Sequence, residues 1–429
     1  MIVWESLSDK LKIYELIERF RKELKGIVEY CVSKTEPVVT PMELGCPGMS
    51  WNDFLYVQEF ANNESLHIKS IYPLTPLQEG ILFESINNSN DGYIIQALFD
   101  FSDILQVSRL RKAIEKLFSI HEVLRTRILY DGLEQPYQIV VEENNIDFQY
   151  FDCRKTTEKY YLELIAQDKK DGISFGKDPL IRFKLFHMKN RQFLLLMTYH
   201  HIIIDGWSTG VMLKDLTNIY NNIHCNIKPI GEGSYRKYVH KYGKGNNSVD
   251  LNYWKELLGD FSGANCINYG FLVDKNKRNE IIEWHISESL FNRVKQCMTE
   301  YNISVNTLVE YIWGRVLQSY QGSNDAVFGK VISGRETVSE ADNVVGLYIN
   351  TIPVRVKSIH GNTIKEELQN LQIQGINSLE HGMCSLAEIQ KQTEYKDKLI
   401  RTIIVFENFY IAQEDSTNKI DFMSALRKV

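Results

Sequence analysis

Apolar positions along this 429-residue chain fall into short blocks. Their period switches between about two and about 3.6 residues, the signatures of strand and helix. Residues 7–31 place Ile13, Leu16, Ile17, Phe20, Leu24, Ile27 and Val28 on one side of a helical wheel, which predicts an amphipathic helix. Residues 33–50 hold Pro37, Pro41, Gly45, Pro47 and Gly48, a linker composition, and Ser50 is placed to cap a short helix over 51–60. Further helices are predicted over 107–118, 158–166, 208–220, 235–242, 250–258, 288–301 and 305–320. Strands are predicted over 93–101, 128–130, 181–187, 192–199, 280–287, 325–333 and 344–355. The pattern is that of an α/β (α+β) protein.

One junction concentrates the chemistry. The run Gln-Phe-Leu-Leu-Leu-Met-Thr at 192–198 reads as a buried strand, paired with 181–187 across Lys189-Asn190-Arg191. It delivers His200 and His201, which must point to opposite faces because side chains alternate along a strand. Three isoleucines, Asp205 and Gly206 follow, and then a helix for which Ser208 is the expected cap. A histidine accepts protons near neutral pH. Asp205 could ion-pair or hold the turn. Taken alone, the pair also fits an ordinary strand-to-helix connection.

Composition narrows the field. Hydrophobic residues make up 44% and charged residues 24%, with net charge −6 and both signs interspersed, so no basic field for nucleic acid exists. No apolar run approaches the ~18 residues of a membrane span, and no signal peptide is evident. The seven cysteines are scattered with no Cys-x-x-Cys, which suggests a reducing, cytoplasmic setting and neither disulfides nor a zinc site.

Several motifs appear in order. Tyr-Pro-Leu-Thr-Pro-Leu-Gln-Glu-Gly at 72–80 carries helix-start chemistry, with Thr75 as cap, Pro76 in the first turn and Gln78 completing a capping box. His-Glu-Val-Leu-Arg-Thr at 121–126, His-His-x-x-x-Asp-Gly-Trp-Ser at 200–208, Tyr-Trp-Lys-Glu-Leu-Leu at 253–258 and Gly-Leu-Tyr-Ile-Asn-Thr at 346–351 follow, then the stretches 381–390 and 401–409. Together they resemble condensation domains of nonribosomal peptide synthetases, in the superfamily of chloramphenicol acetyltransferase. The 72–80 form is most like the subgroup that takes a donor ending in a D-residue. One position departs: Ile120 stands where the family pattern has arginine.

The resemblance implies two chloramphenicol-acetyltransferase-like lobes in a V-shaped pseudodimer. The expected division is a helical appendage over 1–66, similar to the tail of an epimerisation domain, an N-terminal lobe over 67–235 and a C-terminal lobe over 236–429. Residues 411–429 do not match the family's continuation, so that lobe is expected to be incomplete. The implied reaction is amide formation: the acceptor's amine attacks a donor thioester, both carried on phosphopantetheine arms of carrier proteins. In the family pattern His201 is the base or amine-positioning group and His200 supports the strand. Asp205 is scaffold, paired with Arg335 or, second, with Arg125. The Gly206 N–H is a candidate oxyanion donor, and Asn350 a donor into the cleft, with Trp207 and Ser208 supporting. No metal and no resident cofactor are expected, and the partners are upstream and downstream carrier proteins and an adenylation neighbour, around a monomeric domain. Epimerisation, an ester-forming or cyclising variant, and a non-catalytic docking role are the alternatives.

Overall fold

The computed structural model describes residues 10–33, 39–87, 92–101, 105–177, 179–223, 233–243, 248–267, 281–406 and 420–427. The N-terminal half contains α1 (Lys10–Ser33), α2 (Trp51–Asn63), β1 (Ile68–Pro73), α3 (Pro76–Asn87), β2 (Ile94–Phe101), α4 (Val107–Ile120), β3 (Thr126–Leu129), β4 (Tyr137–Val141), β5 (Asp147–Asp152), α5 (Glu158–Asp171), β6 (Ile181–His187), β7 (Phe193–His200) and α6 (Gly206–Asn221). The remainder contains α7 (Ser234–Gly243), α8 (Ser248–Leu258), α9 (Glu288–Tyr301), α10 (Val305–Gln321), β8 (Asp325–Ser333), β9 (Ile349–Lys357), α11 (Ile364–Glu380), α12 (Leu386–Lys391), β10 (Ile403–Ile404) and β11 (Leu426–Arg427).

The main N-terminal sheet runs β11-β2-β7-β6-β5. Strand β7 is its centre, and every residue of it is buried. That explains why 192–199 is an unbroken apolar run rather than an alternating one: both faces are covered. Helices α4 and α6 lie together against one face, where Leu110, Ile114 and Phe118 meet Met212, Leu216 and Ile219 in one core. On the other, Tyr161 packs with Phe186, Leu194 and Leu196. The three-stranded sheet β1-β4-β3 sits alongside.

Residues 39–63 pack on the strands that follow them. Leu44, Met49, Phe54 and Val57 pack on Ile71, Tyr137 and Ile139, and the Ile71 N–H donates to the Leu44 carbonyl at 2.8 Å. Ser50 caps α2 by accepting from the Asp53 N–H. Only α1, within the expected 1–66 segment, stands apart, with Leu16, Phe20, Leu24, Ile27 and Val28 exposed.

The C-terminal sheet runs β10-β8-β9. Phe328, Val354 and Val356 pack on Leu317 and Leu371 of α10 and α11, while Val327 and Ile352 pack on Trp254 of α8 and Ile389 of α12. Two sequence expectations fail here. Residues 281–287 form no strand; Ile281, Ile282 and Trp284 are exposed without a ladder partner among the described residues, and a strand pattern needs one to become a strand (Glu280 lies outside the described residues). Residues 344–348 are a buried loop, and β9 begins only at Ile349. The loop is apolar because it enters the N-terminal core, where Val344, Val345, Leu347 and Tyr348 meet Tyr235 and Tyr238 of α7. Phe422 joins the same core, and β11 pairs antiparallel to β2. The expected division at 235/236 therefore cuts through packed structure. Among the described residues no helix is long and apolar enough to cross a membrane.

Candidate active site

His200 is the last residue of β7 and is fully buried. Its Nδ1 accepts the Ile202 N–H at 3.1 Å, so the ring proton belongs on Nε2, which faces Ser85 Oγ at 3.2 Å. Phe175 meets the ring edge-on with centroids 4.9 Å apart. The ring is held by its own lobe. His201, the first residue past β7, is only partly buried. Its backbone N–H donates to the Tyr93 carbonyl at 2.8 Å. Its Nδ1 is buried and has no hydrogen-bond partner among the described residues. Buried polar atoms are normally paired, so this nitrogen is an exception among the described residues.

Asp205, and not Ser208, caps α6: its Oδ1 accepts the Ser208 N–H at 2.7 Å. The expected cap thus lies inside the first turn, and Asp wins because its side chain reaches back over the helix end while Ser208 is drawn elsewhere. Arg335 reaches Asp205 Oδ1 at 3.0 Å, and the Tyr348 N–H donates to Oδ2 at 2.9 Å. The Ser208 hydroxyl contacts the Gly346 carbonyl at 2.6 Å, the Gly346 N–H at 2.9 Å and Arg335 Nη2 at 2.5 Å. Arg335 also donates to the carbonyls of Ala341 and Val344 and lies 4.2 Å above the Tyr348 ring. A Cβ at Gly346 would come within 2.5 Å of Tyr235, so only glycine permits this approach. A capping network thereby joins the helix after His201 to the loop between β8 and β9.

The remaining expected residues divide. Gly206 is the first residue of α6, and a first-turn N–H has no acceptor inside its own helix. Trp207 is partly exposed, and its Nε1 donates to the Asp342 carbonyl at 3.0 Å. Arg125 does not meet Asp205. It is buried and bonded to the carbonyls of Phe118, Val141 and Glu142, acting as a tie between α4 and β4. Asn350 is buried. Its Nδ2 donates to the carbonyls of Gly382 and Cys384, so both amide protons hold a neighbouring turn. Ile120 is buried in the N-terminal core, so the departure from the family pattern is met by apolar packing.

Two participants show their part at the site only once the fold is closed. Tyr348 contributes a backbone N–H, which any residue has. Gln78 looks like a capping residue, and it is one: its Oε1 accepts the Thr75 N–H at 2.9 Å and its N–H donates to Thr75 Oγ1. Its Nε2 also donates to the Ile202 carbonyl, a contact visible only once the fold is closed.

Burial raises the phenols packed around this junction. Those of Tyr72, Tyr235, Tyr238 and Tyr348 stand well above their ordinary value, and that of Tyr242 is pushed up to about 12. They are neutral packing groups near neutral pH. The arrangement offers a histidine nitrogen, a helix N-terminus and a rigid frame, which suits acyl transfer between bound groups.

Comparison with known proteins agrees. The family model described as Condensation domain matches residues 68–427. Bacitracin synthase 3 of Bacillus licheniformis is 30% identical over 417 residues, covering 95% of this chain and 6% of that protein. Tyrocidine synthase 2 of Brevibacillus parabrevis is 28% identical over 357 residues, covering 81% of this chain and 10% of that protein. The chain thus spans a small part of the curated relatives it matches. Among solved structures, a four-domain nonribosomal peptide synthetase bound to AMP and glycine superposes with a TM-score of 0.67 at 18% identity, covering 80% of this chain and 27% of that one. A cyclization-docking bidomain from Sorangium cellulosum superposes with a TM-score of 0.65 at 16% identity, covering 94% and 79%. Both likenesses concern the fold, including its two lobes.

Proposed function

The chain belongs to the condensation-domain family of nonribosomal peptide synthetases, and from that membership we propose that it joins two carrier-bound units through an amide bond. The acceptor's free amine attacks the carbonyl carbon of the donor thioester. A carbon–nitrogen bond forms, the carbon–sulfur bond breaks, and the proton lost by the amine ends on the departing thiolate of the donor arm. His201 positions the amine and takes its proton. The Gly206 N–H faces the oxygen on which charge develops. An amine is already a good nucleophile toward a thioester, so orientation supplies much of the rate. Phosphopantetheine arms of an upstream and a downstream carrier bring the substrates, and an adenylation domain loads them.

The observation that carries this reading is His201 itself: a ring whose buried Nδ1 has no partner among the described residues, on a backbone fixed at a strand end. Asp205 is a positioning residue, because both of its oxygens are taken by Ser208, Arg335 and Tyr348. The donor residue is proposed to be D-configured, a reading supported by the motif at 72–80. The test supplies two carriers, one loaded with a D- or L-donor and one with an acceptor, and measures product by mass spectrometry. Faster product from the D-donor is expected. Equal or faster product from the L-donor would overturn the stereochemical part, and no product from either would overturn amide formation.

A further inference from the structure

We propose that Gln78 is a positioning residue for His201, acting through the Ile202–Ile203 peptide, one residue beyond it; this rests on the role given to His201 above. Gln78 is fully buried, and all its side-chain bonding capacity is used. Oε1 accepts from the Thr75 N–H and from Gln138 Nε2, each at 2.9 Å. Nε2 donates to Gln138 Oε1 at 2.9 Å and to the Ile202 carbonyl at 2.8 Å. The orientation is unambiguous: reversed, the amide would set oxygen against the Ile202 carbonyl and NH₂ against the Thr75 N–H. Gln138 is itself anchored, donating to the Pro73 carbonyl at 3.1 Å.

The consequence lies one residue away. His201 stands just past the end of β7, where the sheet ladder no longer holds the chain. Besides the Ile203 N–H bond to the His200 carbonyl at 3.3 Å, three bonds replace the ladder. The Tyr93 carbonyl takes the His201 N–H, the His200 ring takes the Ile202 N–H, and Gln78 takes the Ile202 carbonyl. The first two come from the sheet's edge, since Tyr93 directly precedes β2 and His200 ends β7. The third comes from α3, whose start is set by the Thr75–Gln78 capping box. The motif at 72–80 therefore acts on the histidine 123 positions away, counted from 78 to 201. Without the Gln78 donor, the Ile202 carbonyl loses a bond in a buried place and the peptide turns to find another. His201 turns with it.

The experiment compares Gln78→Met with Thr75→Ala in the full chain. Thr75→Ala removes a cap bond and leaves the Gln78–Ile202 bond in place. The readouts are thermal stability, the His201 imidazole resonances (assigned by loss in His201→Gln), and single-turnover product formation. Thr75→Ala is expected to lower Tm and to move the His201 signals and the rate much less than Gln78→Met does. Gln78→Met is expected to move the His201 signals and to lower the rate at least tenfold at unchanged KM for the loaded carriers. Gln78→Glu is the conservative variant. Its protonated carboxyl can still accept from Thr75 and donate to Ile202, so wild-type signals are expected to return as pH falls. It also serves if Gln78→Met does not fold. Unmoved His201 signals in every folded Gln78 variant would overturn the proposal. Signals moved by the Gln78 variants, together with a wild type that forms no product, would leave it standing and reject the amide-forming reading instead.

Discussion

Asp205 and Arg335 lie 130 positions apart and meet at 3.0 Å with both side chains buried. The carboxylate caps α6 directly after the histidine pair, and the guanidinium belongs to the loop that leaves β8. One ion pair thus joins the two halves of the chain at the site. Removing one partner strands the other charge in the interior, which costs about 3–5 kcal/mol. Arg335→Met is expected to destabilise the protein by that order in urea unfolding. Combining it with Asp205→Asn is expected to recover part of the loss. Additive losses would show that the pair contributes nothing as a pair.

The Ser208 hydroxyl holds both the N–H and the carbonyl of Gly346, and it also meets Arg335. Ser208→Ala leaves these groups buried and short of a partner, at a cost of about 1–3 kcal/mol. Unfolding free energy from denaturant titration checks this, and a change below about 0.5 kcal/mol would contradict the clamp.

Asp168 gives an acid-side test. Burial pushes its carboxyl up, but bonds from Arg182, Lys184 and Thr198 outweigh burial and hold it below its ordinary value. A lowered folded value stabilises the protein above the unfolded value, about 3.9, and that stability is lost as pH falls through the folded one. Asp168→Asn is expected to destabilise at pH 7 and to flatten the loss of stability below about pH 4, seen in urea midpoints against pH.

The alkaline side runs in the opposite sense. Burial lifts the phenols of Tyr235, Tyr238 and Tyr348, and lifts that of Tyr242 to about 12. Their contribution is whole below the unfolded value, about 10, and drains as pH rises through the folded values. The Tyr348 hydroxyl is buried without a partner among the described residues. Tyr348→Phe is therefore expected to keep or raise stability at pH 8 and to soften its decline above pH 10. A large loss at pH 8 would contradict the packing described for that ring.

Much of this was legible in the chain. The β7 run, its partner β6, the helix starts at Ser50, Thr75 and Ser304, and the strand over 325–333 follow from period and capping chemistry. What escaped depends on distant partners. Residues 281–287 have the composition of a strand but no neighbour to pair with among the described residues. Residues 344–348 look like strand because they are apolar, yet they are apolar to fill the other lobe's core. Arg125 and Asn350 belong to motifs, but both spend their donors on backbone carbonyls. Ser208 reads as a cap by position, and only the approach of Gly346 shows what its hydroxyl holds.

The central claim is that His201 handles the acceptor amine. Its most direct test is single-turnover condensation with preloaded carriers, comparing the wild type with His201→Ala at matched folded fraction. Placed acid–base groups contribute about 10²–10⁴-fold. The account expects product from the wild type and a loss of that order in the variant, with carrier binding unchanged. A variant that forms product at the wild-type rate would contradict it.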